Sequence, residues 1–184
     1  MSATDMTSVG WFLGEVRHHF GYLFDRYGFE EVHGENASTS GRHLIVIESS
    51  DCRFRFVFNR GDVEITIGTN SASLGWQDTS QSDIGIREWY PIQLIHDFIN
   101  QKTVDLEAIR QQGRIMFTMS PEELLSYWAR SLEPICSRVV QLFRRDVFET
   151  TQTEIEQYAQ EQAQILMKQI DENQRSLLRS KPTE

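Results

Sequence analysis

Apolar residues recur at three- and four-residue steps over 9–27, taking in Trp11, Phe12, Val16, Phe20, Leu23, Phe24 and Tyr27, and that spacing predicts one amphipathic helix. Gly28 stands where a left-handed C-terminal cap is usually glycine. Residues 29–32 then read as a strand. Gly10, Gly14 and Gly21 each weaken the helix by up to about 1 kcal/mol relative to alanine, so packing must hold it. Residues 34–42 are polar and turn-rich and read as a connection.

A meander of three strands follows. Residues 44–48 form an apolar run; 52–58 alternate Cys52, Phe54, Phe56 and Phe58 against Arg53, Arg55 and Val57; 63–67 alternate Val63, Ile65 and Ile67 against Glu64 and Thr66. Period-two alternation marks half-buried strands. With Arg60-Gly61 as a two-residue loop, Phe58 faces Val63, Phe56 faces Ile65 and Phe54 faces Ile67. With Ser50-Asp51 at the preceding tip, Ile47 faces Phe54, Ile45 faces Phe56 and Glu48 meets Arg53. A slip of one residue would move every apolar side chain to the wrong face, so the pattern fixes the register.

Residues 69–88 are a long polar stretch containing Trp76, of a length usually tied to function or disorder. Pro91 opens a short helix carrying Ile92, Ile95, Phe98 and Ile99. Residues 104–110 read as another, stopped by Gly113, and 114–119 as an edge strand. Ser120-Pro121-Glu122-Glu123 has Ser at the N-cap, Pro first in the helix and Glu third, a capping box. Pro134 should kink or split the apolar helix behind it. Residues 149–178 turn to Gln and Glu with a thin stripe of Ile155, Ala159, Ala163, Leu166, Ile170 and Leu177. That predicts a long, mostly solvated helix that folds back, pairs with another chain or stays partly exposed.

The resulting expectation is an α+β chain: an antiparallel meander of about four strands covered on one face by the N-terminal amphipathic helix, then further helices and a long C-terminal one. It divides into an α+β domain over 1–148, an extended Gln/Glu-rich helix over 149–180 and a disordered tail over 181–184.

A chain of 184 residues suffices for one well-buried core. No apolar run approaches the roughly 20 residues of a membrane span, and residues 1–10 lack the basic and apolar regions of a secretory signal, so a cytoplasmic location is expected. Cys52 and Cys136 lack metal-ligand or disulfide spacing and read as buried apolar residues. The 18 basic against 27 acidic residues give −9, a charge that opposes nucleic-acid binding and suits solubility or a basic protein partner.

Little in the sequence suggests chemistry. Glu15 and His18 give one Glu-x-x-His pair, whereas di-metal helical sites need two such pairs and further carboxylates. His33, His43 and His96 show no mutual ligand spacing. Nucleophile-elbow and phosphate-loop patterns are missing. Arg53, Arg55, Arg60, Phe54 and Phe56 interleave as in sheet-based RNA readers, but the register turns the rings inward. No metal or cofactor is expected. Trp76, Trp89 and Tyr90 flank the long loop and are candidate partner anchors, and so are Ile155, Ala159, Leu166 and Ile170 on the last helix.

The run over 23–67, with LFDRYGF closing the helix and IVIESSDCRFRFVFNRGDVEITIG forming the strands, resembles small bacterial α+β proteins, some of the toxin-immunity type. The resemblance implies a bacterial, non-enzymatic protein that docks on another protein in an immunity or accessory role, with no catalytic residues to carry over. Two alternatives stand beside it: an oligomerising structural subunit assembled through the C-terminal helix, and a small hydrolase.

Overall fold

The computed structural model describes residues 8–37, 41–76 and 87–179. The chain is α+β, and its antiparallel sheet has the strand order β1-β2-β3-β4-β5. The strands are β1 (Glu30–Ala37), β2 (Arg42–Glu48), β3 (Arg53–Asn59), β4 (Asp62–Gly68) and β5 (Tyr90–Pro91). The helices are α1 (Val9–His19), α2 (Gly21–Tyr27), α3 (Ile92–Ile99), α4 (Leu106–Phe117), α5 (Pro121–Leu132), α6 (Cys136–Phe143) and α7 (Phe148–Arg179).

The central register is the one the alternation predicts. Phe54 pairs with Ile67, Phe56 with Ile65 and Phe58 with Val63, while Ile47 pairs with Phe54, Ile45 with Phe56 and Glu48 with Arg53. The three phenyl rings are buried in one core under the helices. Phe20 meets Phe56 edge-on at 5.0 Å, and Phe12 lies 5.8 Å from Phe58. Cys52 and Cys136 are buried free thiols, and desolvation is the main cause that pushes the Cys136 thiol up to about 12.

Several elements depart from expectation. The first helix is two: it breaks at Phe20, whose ring turns into the sheet, and α2 restarts at Gly21. Gly28 is left-handed at φ 65° as expected, and the Phe29 N–H donates back to the Leu23 carbonyl at 3.1 Å, a glycine-capped helix end. The first strand runs on to Ala37 instead of turning at 34, with a bulge between Glu31 and His33. Pairing with β2 supplies what its polar sequence lacks. A fifth strand, two residues long, joins β4 through Thr66–Pro91 and Ile67–Tyr90.

The stop at Gly113 and the edge strand over 114–119 are also overturned: α4 runs straight through Gly113 to Phe117. An interior glycine costs only about 1 kcal/mol, and contacts from outside the segment offset it. The capping box at Ser120 is present with both of its hydrogen bonds. Pro134 splits the following helix, which passes through a 3-10 turn, Glu133–Ile135, before α6.

The sheet's second face is roofed too. Leu44 and Val46 on that face are fully buried, and Val46 packs with Ala72, Leu74 and Trp89. The Arg53 guanidinium pairs with Glu48 and donates to the Ala72 carbonyl. Asn70 Nδ2 donates to the Ser49 and Ser50 carbonyls, both at 3.1 Å. A methyl at Gly68 would stand 2.5 Å from the Glu88 carbonyl and 2.9 Å from Ala72 Cβ, so only glycine lets the roof approach this closely.

Candidate interaction surface

The sequence offers seven candidate anchors, and the fold distributes them unevenly. Trp89 and Tyr90 are buried. The Trp89 ring lies 4.8 Å from the Arg55 guanidinium, and the Tyr90 hydroxyl accepts from Gln152 at 3.0 Å. Burial raises the Tyr90 phenol well above its ordinary range. Ile155 is buried in the main core. These three side chains pack in the interior of the chain and are not presented on its surface. Trp76 remains half-buried, stacked against Arg42 at 4.9 Å. Ala159, Leu166 and Ile170 are half-buried along α7.

Those α7 positions are half-covered because the helix folds back on its own domain. Gln162 Oε1 accepts from the Val104 N–H at 2.7 Å. Gln169 grips the same corner twice, accepting from the Leu106 N–H at 2.7 Å and donating to the Val104 carbonyl at 3.0 Å. The Tyr158 hydroxyl donates to the Lys102 carbonyl at 2.7 Å. The glutamines that make α7 look solvated thus hold the backbone that leads into α4.

The sequence reading missed α4 as a surface. Asp105 caps it, its Oδ1 accepting from the Glu107 and Ala108 N–H groups at 2.8 and 2.9 Å, which satisfies two of the unpaired donors of a helix start. Only one side rests on the domain: Gln112 Nε2 donates to Gln93 Oε1 at 3.1 Å, and Met116 packs against the core. No residue of α4 is buried. Phe117 is 92% exposed, Ile115 49% and Ile109 44%, and Met167 of α7 is 60% exposed. A signal for this was present in Ile109, Gly113 and Phe117, spaced by four, but it needed 104–119 to be read as one helix.

Away from the exposed side of α4, described residues line two clefts. One of about 740 Å³ lies between the β2–β3 turn and the start of α7, with Asp51, Glu88, Glu149, Arg87 and Arg145 on its walls. The other, about 540 Å³, lies between α3, α6 and α7, with Lys102, Arg138, Glu154 and Glu161. Among the described residues no three His, Cys, Asp or Glu side chains gather as metal ligands, and no described helix is long and apolar enough to cross a membrane. Arg53 and Arg55 lie under the roof of the second face, and the rings of Phe54 and Phe56 lie in the core beneath the helices.

Comparison of the chain with protein-family models, with curated proteins and with solved structures gives no match.

Proposed function

We propose that this chain is a non-enzymatic protein-binding protein, of immunity or accessory type, that works by docking on another protein. The observation that carries the reading is the uncovered apolar surface of α4, where Phe117 is almost fully exposed, Ile109 is half-exposed on the same ridge and Ile115 is half-exposed on another face. Contiguous exposed apolar side chains rimmed by polar ones mark interaction sites on soluble proteins. The net charge of −9 favours encounter with a basic partner.

The test is binding calorimetry between the full chain and the protein encoded by an adjacent reading frame. Saturable binding that weakens at least tenfold on Ile115→Ser supports the reading. No binding by any neighbouring product, or binding unaffected by Ile115→Ser, overturns it.

The second reading, self-assembly through the C-terminal helix, draws less support. Ile155 lies in the core, Ala159, Leu166 and Ile170 are half-buried, and Gln162 and Gln169 are engaged within the chain, so part of the stripe is already covered by the chain's own domain. For the hydrolase reading, the expected meeting of histidine with carboxylates finds no counterpart in the larger cleft, whose described walls carry carboxylates and arginines.

A further inference from the structure

The geometry of α4 points to a second copy of this chain as the occupant of one side of that surface. This inference rests on α4 being an association surface and adds which molecule sits there. Ile109, Gly113 and Phe117 lie four residues apart, so they form one ridge along the helix. All three are exposed. The centre of the ridge is a notch, because a Cβ built at Gly113 meets nothing within 4 Å. Within one chain this glycine has no steric reason, and it weakens the helix relative to alanine. Gly14 of α1 is equally open, but one turn to either side it has Gly10 and His18, not apolar side chains.

A notch flanked symmetrically by two bulky apolar residues is complementary to itself. When two α4 helices cross antiparallel at Gly113, Ile109 of each lies against Phe117 of the other and the glycines let the backbones approach. A twofold interface requires such a self-matching patch. Charge favours the same place. Asp105 and Glu107 balance Arg110 and Arg114, and Glu107 pairs with both arginines at 3.6 and 3.2 Å. A chain of net charge −9 meets least self-repulsion where its local charge is zero. Ile115, two residues before Phe117 and so roughly 200° around the helix, stays outside the crossing and free for a different protein.

The experiment is light scattering on the full chain across a concentration series, with Phe117→Glu and Gly113→Leu alongside and circular dichroism as the check on folding. The wild type is expected at twice the monomer mass and both variants at the monomer mass. Gly113→Leu discriminates, since a Cβ at this position meets nothing within 4 Å in the monomer and leucine strengthens the helix while filling the crossing point. A wild type that stays monomeric at the highest concentration overturns the inference, as does a dimer that survives Gly113→Leu. A monomer that binds a neighbour-encoded partner through Ile115 overturns the dimer and leaves the docking role standing. A dimer lost on Gly113→Leu that binds no such partner supports the inference and overturns the docking role.

Discussion

The Arg55 guanidinium lies 4.8 Å from the centre of the Trp89 ring, and both residues are buried. Arg55 Nε also donates to Thr66 Oγ1 at 3.1 Å, while Glu64 stands 3.9 Å away. Burial lowers the Arg55 pKa from its ordinary value, the sign of a cation held out of water. Trp89→Ala removes its cover and opens a cavity, so a loss of about 3–5 kcal/mol is expected in urea unfolding. Arg55→Met exchanges the buried charge for an apolar side chain of similar length and is expected to cost less than about 1.5 kcal/mol. A larger loss for Arg55→Met than for Trp89→Ala would show that the charge, not the ring, organises the roof.

Gly68 is the tightest point between the sheet and its roof. Gly68→Ala places a methyl against the Glu88 carbonyl and forces backbone to move, at a cost of about 1–3 kcal/mol. Thermal unfolding measures the loss, and a neutral substitution would mean that the 87–89 segment sits elsewhere in solution.

Gln169→Ala leaves the Leu106 N–H and the Val104 carbonyl without their α7 partner. Each lost bond is worth about 1 kcal/mol. The effect is local: amide exchange at Leu106 should accelerate roughly tenfold while exchange in β3 is unchanged. Equal acceleration in both would show that α7 and the sheet unfold as one unit.

Burial, reinforced by His18 alongside, holds the His19 imidazole below its ordinary value of 6.5 against the opposing pull of Glu15. The unfolded chain therefore takes up this proton first as pH falls. Stability from neutral His19 is fully present above about 6.5 and is lost as pH drops from there through the folded value. His19→Gln should flatten the fall in urea midpoint between about pH 8 and about pH 5. An unchanged slope would assign the acid sensitivity to other groups.

How much of this was legible depended on where each segment's partner lies. Phe54, Phe56 and Phe58 announce their register because neighbours five to thirteen residues away, such as Val63 and Ile67, carry the matching alternation. Ser120, Pro121 and Glu123 announce a helix start because the cap is entirely local. By contrast, α4 looked broken at Gly113 because its supports, Gln162 and Gln169, lie about sixty residues on. The strand over Glu30–Ala37 is too polar to declare itself and is set by β2. Trp89 and Tyr90 looked like loop aromatics because nothing nearby shows that Arg55 and Gln152 receive them.

Strand order in space repeats strand order along the chain, and this shapes how the molecule is made. During translation each of β2, β3 and β4 emerges beside the strand it pairs with, after a loop of only a few residues, and the early hairpins need no distant segment to form. Tyr90 and the backbone before α4 must instead wait for α7, the last described element to leave the ribosome. A nascent chain can thus complete most of its sheet while that side still gapes, and the arrival of α7 is the step that closes it.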